Sequence, residues 1–263
     1  YLQEVMSKMK SANRAFVLAM SIALSACGGG GSSGSGSTSG SPTNSVGIWS
    51  GRTDTTPPDF PLIVVRPTGE TWIFNYDAFS VQGFGLLTLS ESGNSSQSTS
   101  GKYFSSTDGL LQISMEGTAL KGSSFGGTFR FPSLNGSTTY STTFVNSSNL
   151  NFTPIARTWD VGSSFTLAIQ STGAFLASDT LGCQINGNIN PTNEGYSIGA
   201  VTAATNSSCR IASTSLTGLL YSNGTSIWMA LVTPSKDNSY LFYSRVCSNN
   251  STYSGVDFTW SCM

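Results

Sequence analysis

Thr71-Trp72-Ile73-Phe74-Asn75-Tyr76 decides the fold class. Its three aromatics recur at every second residue, so they line one face of an extended strand. Thr68-Gly69 precedes the stretch as a turn former, and Phe60-Pro61-Leu62 opens an earlier apolar run. From Val46 the same pattern repeats, with β-like runs at 46–52, 60–66, 70–77, 82–89, 98–105, 110–115, 122–131 and 137–145. Pro57-Pro58, Thr68-Gly69, Gly93-Asn94, Asp108-Gly109 and Asn135-Gly136 punctuate them as turns. No window of about a dozen residues beyond Cys27 carries a helical stripe.

The second half reads alike, through 155–160, 164–170, 174–178, 182–189, 195–203, 207–213, 216–222, 226–233, 239–247 and 252–260. Asn223-Gly224 and Asp237-Asn238 mark hairpins there. About eight short strands are enough to close a small barrel. The expectation is therefore all-β: two tandem small antiparallel β-barrels of about eight strands each, residues 46–153 and 154–263, after a disordered tether. Landmarks recur between the halves. Ile48-Trp49 answers to Thr158-Trp159 at an offset of 110, and Thr68-Gly69 to Thr172-Gly173 at 104. A diverged internal repeat is expected.

Ahead of the barrels lies a different kind of sequence. Lys8, Lys10 and Arg14 precede an apolar segment from Ala15 to Leu24, which ends in Leu24-Ser25-Ala26-Cys27. Basic, apolar and small residues in that order make a secretory signal peptide. The apolar run is about half of the ~20 residues that span a bilayer. Residues 1–26 are thus read as signal peptide plus an upstream extension, with translation starting at Met6 or Met9. Residues 28–45, GGGGSSGSGSTSGSPTNS, have nothing to bury and form a linker reaching roughly 25 Å as a flexible coil.

The terminal cysteine makes Leu24-Ser25-Ala26-Cys27 resemble a lipobox, the signal of bacterial lipoproteins. The resemblance implies cleavage before Cys27, palmitate-type acylation of Cys27 and a lipid anchor. Gly28, in place of Asp, resembles an outer-membrane sorting signal. Gly47-Ile48-Trp49 is similar to the opening of lipocalin and avidin barrels, which implies that Trp49 plugs one barrel end; Trp159 is its counterpart in the second half. Lipobox, tether, Gly47-x-Trp49-x-Gly51, Gly182-Cys183-x-x-x-Gly187, Cys209 and Leu216-Thr217-Gly218 together resemble a group of uncharacterised proteobacterial lipoproteins. That group brings no known activity with it.

Export leaves Cys183, Cys209, Cys247 and Cys262 in an oxidising compartment, where four thiols suggest two disulfides. Three pairings exist, and Cys183–Cys209 with Cys247–Cys262 is favoured because it joins neighbours. A metal site is the weaker reading, since the chain has no histidine and no CxxC pair.

Only 10% of residues are charged. Beyond residue 26 nine basic and twelve acidic groups remain, net −3, with no basic cluster to follow a phosphate backbone, so nucleic acid is not an expected partner. Without histidine, Ser-His-Asp and Cys-His catalysis are absent. Glycine-rich residues 122–127 lack the Lys of a phosphate loop and read as close-packed strand. The acids are scattered singly, mostly beside turns, where capping is the default role.

Neither a catalytic residue, a metal ligand nor a cofactor is assigned. Asp54 and Asp59, around Pro57-Pro58, are too few for a calcium cage. Trp228 and Met229 read as a buried strand before they read as a ligand wall, and Tyr240–Tyr243 with Arg245 as core and rim before a sugar-binding face. The expected function is a non-catalytic, membrane-anchored outer-membrane lipoprotein that binds a small ligand, glycan or envelope protein. The alternative is an assembly partner of an outer-membrane protein; a carboxylate-dependent glycan hydrolase stands behind both. Barrel volume discriminates: open space favours a ligand, and a packed interior favours a protein partner.

Overall fold

The structure is a computed structural model, and it describes residues 41–77, 81–145, 152–161, 165–180, 182–203, 215–246 and 252–254. Nine strands form the first sheet: β1 (Gly47–Thr53), β2 (Phe60–Val65), β3 (Glu70–Tyr76), β4 (Val81–Thr88), β5 (Ser90–Ser92), β6 (Ser95–Ser105), β7 (Gly109–Leu120), β8 (Ser124–Phe131) and β9 (Gly136–Val145). Each strand follows its neighbour antiparallel, β9 returns to β1, and β4 pairs with β6. Eight strands thereby close an up-and-down barrel. β5 is a short hairpin arm hydrogen-bonded to β6 alone. Closure removes exposed strand edges.

The second sheet is a nine-strand meander: β10 (Thr158–Val161), β11 (Phe165–Ile169), β12 (Ala174–Asp179), β13 (Gln184–Thr192), β14 (Gly195–Ala203), β15 (Ser215–Ser222), β16 (Ser226–Val232), β17 (Ser239–Val246) and β18 (Thr252–Ser254). It curls until β18 approaches β10. Among the described residues no ladder closes it, so it is a curled half-barrel where a second closed barrel was expected. The expected strand at 207–213 lies outside the described residues. Among the described residues no helix is long and apolar enough to cross a membrane.

Closing so small a barrel requires strands to coil tightly, and glycine permits it. A Cβ on Gly127 of β8 would stand 1.9 Å from the Glu116 carbonyl oxygen of β7. Any side chain there would push the two strands apart.

The halves repeat one local design. The Trp49 indole donates to the Ser45 carbonyl at 2.7 Å, and the Trp159 indole to the Ile155 carbonyl at 3.0 Å, both four residues back. Gly69 and Gly173 sit at φ +85° and +88° in matching turns. Each accepts, on its own carbonyl, a backbone N–H from the next hairpin: Leu89 onto Gly69 at 2.8 Å, Ile189 onto Gly173 at 2.9 Å.

Strand alternation splits the core into three layers. Inside the closed barrel, Trp49, Ile63, Val65, Ile73, Leu87 and Phe125 pack with other buried side chains. Inside the second sheet, Trp159, Leu167, Phe175, Ile185, Leu220 and Met229 do the same. The third layer lies between the sheets. Leu62, Val64, Trp72, Phe74 and Phe84 on the outer face of the barrel pack against Leu219, Tyr221, Trp228 and Ala230 of the second sheet. The aromatic face of β3 therefore looks away from the barrel interior and is covered by the other half. β16, Ser-Ile-Trp-Met-Ala-Leu-Val, is buried at every position because it separates two cores.

The linker gives up its last residues to the fold. Read from the sequence as ending at residue 45, it is already seated by Pro42–Ser45, with Ser45 fully buried. The anchor is Glu91. Its Oε2 accepts the backbone N–H groups of Thr43 at 2.5 Å and Asn44 at 2.9 Å, and its Oε1 that of Ser45 at 2.6 Å and the Ser96 hydroxyl at 3.0 Å. Burial alone would raise this carboxyl. The bonds from Ser45, Thr43 and Asn44 outweigh it and bring the pKa down to about 2.

Candidate functional site

An up-and-down barrel has two ends, and its alternate loops fall at the same one. The described residues of the β1–β2, β3–β4, β6–β7 and β8–β9 connections, DTTPPD, Asp77, STD and PSLN, lie opposite the end where Ser45 and Glu91 hold the incoming chain. Those connections contain Asp54, Asp59, Asp77 and Asp108 and not one Lys or Arg. Arg52 and Arg130 stand nearby on outward positions of β1 and β8, and Arg130 is ion-paired with Glu116. This end of the barrel is an acidic mouth.

A cavity of about 40 Å³ opens in the mouth, lined by Thr53, Asp59, Asn75, Tyr103, Phe131 and Thr138 above a floor of Ile73, Ile113 and Phe129. The β1–β2 loop presents Asp59 by folding onto itself. Thr53 N–H donates to the Asp59 carbonyl at 2.9 Å, and Asp59 N–H donates to the Thr53 hydroxyl at 3.0 Å. The Asn75 amide, at the end of β3, donates to Asp59 Oδ2 at 3.1 Å. Asn75 Oδ1 is buried and has no hydrogen-bond partner. Tyr103 and Phe131 meet edge to face, 5.2 Å between ring centres.

Electrostatics mark the same spot. Burial raises the Asp59 carboxyl, the Asn75 hydrogen bond pulls it down, and neighbouring Asp77 raises it again. Burial likewise pushes up the Tyr103 phenol, with the Asn75 side chain acting against it and Asp59 and Asp108 adding to the rise.

Asp54 faces the neighbouring outer cleft instead, where its carboxylate accepts the Thr139 N–H at 3.0 Å. Asp54 and Asp59 thus share one loop but point to different partners. Among the described residues no group of three or more His, Cys, Asp and Glu is arranged to hold a metal ion.

The remaining sequence candidates fall elsewhere. Trp49 is fully buried beside the chain-entry end of the closed barrel, against Phe125 and Phe144. Trp159 is equally buried, with the Arg157 guanidinium 3.9 Å above its ring. Cys183 is buried before β13, and its N–H donates to the Asp179 carboxylate at 2.8 Å. Cys27, Cys209, Cys247 and Cys262 lie outside the described residues, as do the side chains of Tyr240, Phe242, Tyr243 and Arg245. Trp228 belongs to the layer between the sheets and Met229 to the second core, so neither faces open space.

Glu91 and the mouth were both missed in the sequence, where every acid looked solitary. One signal was available for the mouth. Once strands are assigned, alternate loops of a meander share an end, and charge counted by end exposes the asymmetry. Comparison with protein families, with curated proteins and with solved structures finds no match for this chain.

Proposed function

We propose that this chain is a lipid-anchored envelope lipoprotein whose folded part is a non-catalytic interaction module, binding through its surface. The filled interior of the closed barrel carries this reading. Trp49, Ile63, Ile73, Ile113, Met115 and Phe125 occupy the space a lipocalin-like ligand would take, leaving about 40 Å³ at the mouth. The shared layer between the sheets adds to it, since two halves locked together present one rigid surface. Attachment through Cys27 rests on the lipobox and the tether.

Two experiments test the two parts. With the full chain expressed in a bacterial host, Cys27 takes up labelled palmitate and the protein sediments with membranes. Cys27→Ser loses the label and is released. Unchanged labelling or sedimentation of the variant would overturn the anchor. For surface binding, a hydrophobic dye that lights up in open barrels should give no saturable signal, whereas one-to-one uptake would mean an enclosed ligand site.

The disulfide pairing Cys183–Cys209 is supported by β-register. Ile185 pairs with Ala203, so Cys183 lies just before the end of the β13–β14 hairpin at which β14 finishes, and Cys209 follows Ala203 in the sequence. Non-reducing peptide mapping should recover that bridge together with Cys247–Cys262. Recovery of Cys183 joined to Cys247 or Cys262 would refute the pairing.

A further inference from the structure

We propose that the acidic mouth of the closed barrel is a docking site for the terminal ammonium of a lysine side chain carried by a protein partner. This narrows the surface-binding reading above and takes its biological setting from it. The chemistry of the cavity argues it independently.

An ammonium has three donors and no acceptor, and the mouth offers the complement. Asp59 supplies a carboxylate, and Thr53 and Thr138 line the same space with hydroxyls. The rings of Tyr103 and Phe131 complete the wall above the Phe129 floor. Aromatic rings attract a cation that has shed part of its water. About 40 Å³ exceeds the ~10–15 Å³ that a cavity needs to hold one water. The space therefore fits an ammonium with its last methylene.

Competing occupants fit less well. Arginine presents a planar five-donor fork, too broad for this space. A calcium ion calls for six to eight oxygens, whereas the floor here is Ile73, Ile113 and Phe129. An amine that carries a phosphate would meet Asp77 and Asp108, which act on Asp59 and Tyr103 and have the wrong sign for it. Lysine brings an uncharged stem instead, and the same carboxylates steer it inward.

The test is an NMR titration of the full chain in detergent micelles, following the Asn75 side-chain amide. The probes are Nα-acetyl-lysine amide, Nα-acetyl-arginine amide, ethanolamine phosphate and calcium chloride. Lysine amide should shift the Asn75 signal saturably and at lower concentration than the other three. Asp59→Asn, isosteric with the native residue, should weaken it by about tenfold. Asp77→Asn, farther from the cavity, should weaken it by roughly two- to threefold. No saturable shift, an unchanged affinity in Asp59→Asn, or tighter binding of calcium or ethanolamine phosphate would each overturn the proposal. None of these results bears on dye uptake or Cys27 acylation, so the broader reading stands or falls separately.

Discussion

Trp72→Ala should destabilise the folded part by about 3–5 kcal/mol, the range for removing a fully buried Trp. Trp72 is 2% exposed and stacks on Phe84 with ring centres 6.2 Å apart. It lies in the layer that joins the two sheets, so the cavity would open between them and neither half could collapse into it alone. At this chain size such a loss lowers the melting midpoint by roughly 10 °C. A control is Leu176→Ser, at a side chain 41% exposed on β12, expected to change stability by less than about 0.5 kcal/mol. Calorimetry of the two variants decides it. A Trp72→Ala protein melting within a degree or two of wild type would mean that the layer is not closed.

The second large effect belongs to Glu91. Its carboxyl ionises at about 2 in the fold against 4.5 when free, so the folded state favours the charged form. The resulting stabilisation is fully present above the free value and is lost as pH falls through the folded one. That window runs from about pH 4.5 to pH 2, and the loss is on the order of 3 kcal/mol. Glu91→Gln should lose a similar amount at neutral pH, because an amide NH₂ then faces backbone donors. Its stability should also fall less steeply in acid. Urea midpoints of both proteins across that window check the point. Asp59 and Glu194 contribute with the opposite sign, as burial raises both, but they are common to the two proteins and cancel in the difference. Parallel acid profiles for wild type and variant would sink the Glu91 clamp.

Much of the fold was legible because strands advertise themselves locally. The period of two in β3 and the turn formers at Thr68-Gly69, Asp108-Gly109 and Asn135-Gly136 gave strand positions within a few residues. The extra arm β5 and the extension of β7 to Leu120 were not read, since Ser90–Ser92 and Glu116–Leu120 carry little apolar signal. Nor did the local pattern say what covers each face. Trp72 and Phe74 mark a buried face, yet nothing in β3 distinguishes a barrel interior from a neighbouring sheet. The run Ile227-Trp228-Met229-Ala230-Leu231-Val232 held the missing clue, because a strand with no polar side must be buried twice.

The candidate site was less legible for a physical reason. Asp59, Asn75 and Tyr103 come from β2's leading loop, the end of β3 and β6, and only barrel closure through β4–β6 brings them together. Glu91 acts on residues 43–45, more than forty positions earlier, which no short motif encodes. The repeat is the converse case. Trp49 and Trp159, with Gly69 and Gly173, were visible as paired landmarks, and each pair performs the same hydrogen-bonding task in its own half.

The most direct test of two sheets sharing one core is a ring-to-ring nuclear Overhauser measurement between Tyr76 of β3 and Trp228 of β16. Their ring centres are 6.0 Å apart, which puts edge protons within range. Cross-peaks between the two rings are predicted in the full chain. Fully assigned rings with no cross-peak, and Trp228 seeing only protons of its own half, would contradict the shared core and with it the single rigid module.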